Sequence, residues 1–353
     1  MTERTAVRPS LYEAFDPKNN SLNAIRLFLA VLVIISHSWP AGDFGHDPQL
    51  GDQDLGDWAV AGFFVISGYL ITASRMNSTG LRPYLWKRFL RLYPAFVVAL
   101  LVVALLVAPL STLMTAEPFH WSDAFSFVAK NLGLLVLEPT IGTTLSSAPV
   151  ADTWNAPLWT LAYEAACYVL IGLVVSLSPR RLVLPALLAA VLVCSVAVAL
   201  SVTGTLSIPL VVVKGFRLGA FFAAGAVLYS LRKKLPASSY LALASAALVT
   251  LTMLTHTFQV LAPLPLAYLL LWAGSRTVLR RIGAKYDLSY GMYIYAFPLQ
   301  QLLQLLSPDL PSPFLFAAIS TLATLPLAFL SCKYIEQPAL KYKPVVARQA
   351  SVT

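Results

Sequence analysis

The sequence predicts an all-α, polytopic membrane protein with about ten transmembrane helices and both termini in the cytoplasm. Three observations lead there. Of 353 residues, 58% are hydrophobic and only 12% are charged, about half the charged share of an ordinary soluble domain. Mean hydropathy is +0.72. The apolar residues form continuous runs, such as Ala95 to Leu110 and Leu182 to Val202, where a barrel strand would alternate apolar and polar positions. Helices satisfy their own backbone hydrogen bonds in lipid. The same composition disfavours a soluble enzyme, a disordered chain and a nucleic-acid-binding module, despite a net charge of +9.

The first apolar run, Leu22 to Trp39, follows a polar segment, and no small-x-small cleavage site follows it. It is expected to be a retained helix rather than a signal peptide. Helices are then expected at 58–74 and 94–111, the latter opening at Pro94 after a basic stretch. The connection of about 112–156 is the longest and holds Pro118, Pro139 and Pro149. Its Phe125–Leu137 run is too short to span and is expected to lie in the interface or re-enter. Further helices are expected at 157–177, 182–203, 209–229, 238–255, 259–274, 287–306 and 314–333. The sixth carries Lys214 and Arg217, and the eighth is short and holds Pro263 and Pro265. The chain therefore divides into a cytoplasmic segment 1–21, a transmembrane domain 22–335 and a cytoplasmic tail 336–353, with no visible repeat.

Basic residues set the orientation. With the N-terminus inside, the inner segments carry 21 of the 25 Lys and Arg residues. Acidic residues crowd the outside instead. Asp43, Asp47, Asp52, Asp54 and Asp57 fall in the first outer loop, and Glu117, Asp123, Glu138 and Asp152 in the second. Cys167, Cys194 and Cys332 lie in or at the ends of apolar runs, without ligand spacing. They read as small packing side chains, and no metal site is expected.

Ionisable groups at membrane depth are costly and are candidates for function. Arg26 and His37 share the first helix, eleven positions apart, which places them on one face about 16 Å apart along the axis. Read singly, they are interfacial anchors. Glu164 lies early in the fourth helix, where a carboxylate needs a partner or protonation. Arg88 and Arg91 are three apart on the inner side. Two guanidinium forks on one face suit phosphate, although inner-face anchoring explains basic residues there equally.

Taken in order, these residues form a pattern. Asn23-Ala24-Ile25-Arg26 is followed by ten residues and His37, then by Gly62-Phe63-Phe64-Val65-Ile66-Ser67-Gly68-Tyr69, and then by Arg88 and Arg91. Trp159 to Glu164 with Tyr168, Ser289-Tyr290 with Tyr293 and Phe297-Pro298, and Ile335-Glu336-Gln337-Pro338 complete it. The chain resembles the acyltransferase 3 family of membrane O-acyltransferases over roughly residues 18 to 343. One departure is Ala296, where many members have His before the aromatic-Pro pair; Gln300 and Gln301 follow and are expected to line the cavity instead.

The resemblance implies transfer of an acyl group, most often acetyl, from cytoplasmic acyl-CoA to a carbohydrate hydroxyl outside, in the inner membrane. Acyl-CoA is then a donor substrate, and no permanently bound cofactor is expected. The partners are acyl-CoA, a carbohydrate acceptor and the lipid bilayer, with no nucleic acid; oligomeric state is open. Arg26, Arg88 and Arg91 are expected to hold the CoA phosphates. His37 is expected to act as general base or to carry the acyl group, and Glu164 to orient His37 or position the sugar. Asn23, Tyr69, Trp159 and Tyr163 are expected to contact substrate. The alternative from a different class is a transporter or flippase of a glycan or small solute, for which buried Arg, His and Glu also serve.

Overall fold

The computed structural model describes residues 9–115 and 117–343. Residues 1–8 of the expected cytoplasmic segment and 344–353 of the expected tail lie outside the described residues. A one-turn helix, Leu11–Ala14, precedes the bundle. Its long helices are α1 (Leu22–Ala41), α2 (Leu55–Met76) and α3 (Leu81–Thr115). The shorter helix α4 (Trp121–Asn131) follows, then α5 (Ala156–Leu177), α6 (Arg180–Val202) and α7 (Leu210–Leu231). The last are α8 (Ser239–Leu254), α9 (Pro263–Gly274), α10 (Ser289–Leu306) and α11 (Pro313–Lys341).

Among the described residues seven helices are long and apolar enough to cross a membrane: α1, α2, α3, α5, α6, α7 and α11. They coincide with seven of the ten expected spans. The other three exist as helices, but α8 and α9 have only 16 and 12 residues. α10 has 18 residues and carries Gln300, Gln301 and Gln304, which lower its hydropathy. All three glutamines are buried within protein. The chain is thus an all-α, multi-pass membrane protein.

α2 is the centre, packing on α1 and α7, while α10 packs on α1 and α11. Two glycines make the α2–α7 crossing possible. A Cβ on Gly68 would sit 1.9 Å from the Phe222 carbonyl oxygen, and one on Gly225 would sit 2.0 Å from that of Val65. Without a hydrophobic force between helices in lipid, such backbone approach supplies the packing. The helix α3 contains one wider, i→i+5 turn at Val103–Val107, and α11 contains another at Cys332–Glu336. Such turns re-aim side chains, and the second buries Glu336.

The outer loop after α1 folds back as a two-stranded turn, Gln49–Leu50 against Gln53–Asp54. Only the first part of the expected Phe125–Leu137 run, as far as Asn131, belongs to α4, on which Trp121 and Phe125 are exposed. The Asn131 amide closes its end, accepting from Leu137 and Glu138 backbone N–H and donating to the Glu138 carbonyl.

Candidate active site

Three adjoining cavities run along α2, called inner toward its C-terminal end and outer toward its N-terminal end. The innermost is lined by Arg26, Ser67, Leu70, Arg88, Arg91, Glu164, Tyr168, Asp287 and Lys343. The middle one shares Arg26, Ser67, Arg91, Glu164 and Tyr168 with it and adds Phe63, Phe64, Thr160, Tyr290 and Tyr293. The outer one shares Val60 and Tyr293 with the middle and adds His37, Asp47, Asp54, Asp57 and Trp159. Arg26 and His37 therefore open on one tract, at its inner and outer parts.

At the inner end the arginines are not equivalent. Arg26 Nη1 lies 2.5 Å from Asp287 Oδ2, and Arg91 Nη2 lies 2.7 Å from the same oxygen. Arg91 Nη1 also reaches Glu336 Oε2 at 3.2 Å. Asp287 accepts further from the Ser289 hydroxyl at 2.6 Å. Two cations facing the half-buried Asp287 and the buried Glu336 carboxylates make a neutral internal network, which is the condition for keeping such charges at depth. Arg88 is different. Among the described residues it has no ion pair, and its Nε is buried without a hydrogen-bond partner. An unsatisfied buried guanidinium N–H is costly, and this one borders a cavity. Lys343 lines the same space.

Glu164 sits at mid-depth. Its Oε1 accepts from the Ser67 hydroxyl at 3.0 Å and from the Tyr168 hydroxyl. It is not among the residues around His37. The carboxylate beside His37 is Asp47, whose Oδ1 is 3.4 Å from Nδ1 and accepts from the Ser36 hydroxyl at 2.7 Å. Burial pushes the Asp47 carboxyl up, but hydrogen bonds from His37 and Ser36 and the His37 charge outweigh it and hold it below the ordinary value. The His37 ring meets Phe297 edge-on at 5.3 Å.

The outer cavity is lined by Asp57, which accepts a fork from Arg217 at 2.6 and 2.8 Å, and by Trp159, with Lys214 Nζ 4.6 Å from its ring centroid. Tyr293 separates it from the middle cavity. Its hydroxyl is 2.7 Å from that of Thr160 and donates to the Pro157 carbonyl at 3.1 Å.

The remaining expected contacts lie elsewhere. Asn23 donates to the Gly283 carbonyl at 2.9 Å and ties α1 to the loop before α10. Tyr163 packs edge-on to Trp159 and donates to the Val211 carbonyl. Tyr69 packs with Phe15 and Tyr229, beside a separate inner cavity. Gln300 and Gln301 do not line the tract, correcting that expectation. Gln300 donates to the Ile34 carbonyl and Ser38, and Gln301 to the Val150 and Thr153 carbonyls, because the amides are needed to satisfy buried backbone. Ala296 fills a small apolar cluster with Ala30, Ile34, Met292 and Ala328. Sequence reasoning gave Asp47 no role, and it did not foresee that Asp287, a candidate by its depth, and Glu336, part of the closing motif, pair with Arg26 and Arg91. For Asp47 the available signal was its place among aspartates just after the His37 helix.

A basic cavity at one end of the tract and a histidine–carboxylate pair at the other make up the candidate site of this multi-pass membrane protein. The chain belongs to the acyltransferase 3 family: the family model, described as an acyltransferase domain, matches residues 19–333. It is 26% identical over 297 residues to an O-acetyl transferase of Shigella phage Sf6, covering 80% of this chain and 85% of that protein. It is 27% identical over 368 residues to nodulation protein 10 of Rhizobium leguminosarum bv. viciae, covering 94% of this chain and 96% of that one. Acyltransferase MdmB of Streptomyces mycarofaciens is 26% identical over 153 residues, 42% of this chain and 37% of that protein. No solved structure matches the chain. The protein is an acyltransferase of the multi-pass membrane class.

Proposed function

We propose that the protein moves an acyl group, acetyl in the first instance, from acyl-CoA on the cytoplasmic side of the inner membrane to a hydroxyl of a carbohydrate on the other side. The observation that carries this reading is the tract of adjoining cavities from the unpartnered Arg88 to His37. Ten crossings with both ends inside, three of them by the shorter or more polar α8, α9 and α10, put 21 of 25 basic residues on the donor side.

Arg88 and Lys343 supply the charge for the CoA phosphates. Arg26 and Arg91 are already neutralised by Asp287 and Glu336, so they fix the wall of the cavity and contribute less to the phosphate. The pantetheine arm, comparable in length to the roughly 16 Å between Arg26 and His37 along α1, extends through the middle cavity. There Glu164 offers an acceptor to its amide N–H groups. Trp159 and Lys214 face the acceptor at the outer end.

With its Nδ1 proton toward Asp47, His37 keeps Nε2 as the basic nitrogen. That nitrogen takes the proton of the acceptor hydroxyl as its oxygen attacks the thioester carbonyl carbon. The C–S bond breaks, the ester forms, and the CoA thiolate leaves and is protonated by the imidazolium. Asp47 orients the ring and stabilises its charged form.

The test compares base-labile O-acyl groups on envelope and secreted glycans, by mass spectrometry, between the native strain and a His37→Ala strain with matched protein levels. Loss of one acyl modification is expected. Identical profiles, together with no binding of acetyl-CoA by the purified protein, would overturn the reading.

A further inference from the structure

A second inner cavity, outside the tract, is walled by Tyr12, Phe15 and Pro17 from the N-terminal segment, by Tyr69, Leu70 and Ala73 of α2 with Asn77 just after it, and by Tyr229 of α7 with Arg232 just after it. Leu70 lines both this cavity and the Arg88 cavity. The wall is held in place by backbone hydrogen bonds: Leu11 N–H to the Leu235 carbonyl at 2.8 Å, Tyr12 N–H to that of Arg232 at 2.9 Å, and Ala237 N–H to that of Pro9 at 2.8 Å. A short polar segment is thus pinned across the inner end of two helices, and four aromatic rings face one space.

Two cations lie against its rings, and Arg232 Nη1 also donates to the Tyr229 carbonyl at 2.5 Å. The Arg232 guanidinium carbon lies 3.7 Å from the Tyr229 centroid and 5.5 Å from that of Tyr12, and Lys233 Nζ lies 5.1 Å from the latter. Among the described residues neither makes an ion pair. The nearby Glu13 carboxylate is taken up by the Ser10 hydroxyl and N–H. Aromatic rings that stack a flat base, beside unpaired cations, are the elements of nucleotide recognition.

We propose that this cavity holds the adenosine 3′-phosphate end of acyl-CoA. The proposal rests on the acyl-CoA reading above. The base lies among Tyr12, Phe15 and Tyr229, the 3′-phosphate meets Arg232 and Lys233, and the diphosphate crosses Leu70 to Arg88. The donor is then gripped at two separated points, which fixes the direction in which its thioester enters the tract.

The test uses the purified full chain in nanodiscs, with CoA and 4′-phosphopantetheine as competitors of radiolabelled acetyl-CoA. CoA is expected to bind more tightly than 4′-phosphopantetheine. Tyr12→Ala and Arg232→Gln are each expected to weaken CoA about tenfold, on the order of 1.4 kcal/mol, and to leave 4′-phosphopantetheine unchanged. Photolabelling of the unaltered protein with 8-azido-CoA, which needs no variant to fold, is expected to mark peptides holding Tyr12, Phe15 or Tyr229. Equal affinity for the two competitors, parallel losses for both, or label confined to other peptides would overturn the nucleotide site while leaving the donor reading intact. Absence of saturable acetyl-CoA binding would overturn both.

Discussion

Arg88 and Arg91 stand three residues apart on α3, but only Arg91 is neutralised, by Asp287 at 2.7 Å and Glu336 at 3.2 Å, while the buried Nε of Arg88 has no partner. Two arginines of one short motif therefore do different work. One ties α3 to the loop before α10 and to α11, and the other is the one the proposed function assigns to an anion.

Arg88→Gln is accordingly expected to leave yield and thermal stability of the purified protein unchanged and to weaken acetyl-CoA binding about 10- to 100-fold, the loss of one charge-assisted contact of roughly 1.5–3 kcal/mol. Arg91→Gln is expected to do the reverse first, lowering the folded fraction, because removing one partner of a buried network costs about 3–5 kcal/mol. Fluorescence-detected size exclusion and a binding isotherm on the same samples separate the two.

His37→Ala is expected to abolish acyl transfer. Asp47→Asn keeps the shape but loses the charge that orients and stabilises the imidazolium, and a drop in kcat of about 10- to 100-fold is expected, with KM for the donor unchanged. A fall confined to KM would place Asp47 in binding rather than in positioning His37.

The anchoring of the outer loop by Asp47 depends on pH in a stated direction. Its carboxyl is held below the ordinary value of 3.8. Its contribution is therefore fully present above the ordinary carboxylate range and is lost as pH falls through the depressed one. Proteolytic or exchange protection of residues 43–54 is expected to stay level from pH 7 down to about 5 and to fall only in stronger acid. Asp47→Asn is expected to remove that acid-dependent step.

The α2–α7 crossing makes a steric prediction. A Cβ at Gly68 would meet backbone at 1.9 Å, so Gly68→Ala is expected to cost at least about 1–3 kcal/mol and to reduce folded protein. At Gly80 the nearest atom is Pro83 Cδ at 3.7 Å, and Gly80→Ala is expected to be tolerated. Equal yields for the two variants would contradict the close crossing.

The class of fold was legible because apolar run length is a local property, and so was the face shared by Arg26 and His37, which follows from helical spacing alone. The sites that needed tertiary contact were not. Asp47 reaches His37 only because the loop after α1 folds back, and the carboxylates the sequence offered at helix depth were Glu164 and Asp287. Glu336 reaches Arg91 through a wider turn in α11 that breaks the 3.6-residue register. Gln300 and Gln301 read as polar groups facing a cavity, when their amides satisfy the backbone of Ile34 and of the Val150–Thr153 loop. The polar character of α10 follows from the same demand.

The most direct measurement is of sidedness: radiolabelled acetyl-CoA added to sealed membrane vesicles of either orientation, carrying the unaltered protein or Arg88→Gln, with bound label and released CoA both read. Saturable binding and CoA release are expected only when the cytoplasmic face is outward, and Arg88→Gln should weaken both about 10- to 100-fold at subsaturating acetyl-CoA. Equal signals from the two orientations, or acetyl-CoA left unbound and intact in both, would contradict donor entry from the cytoplasmic side at Arg88.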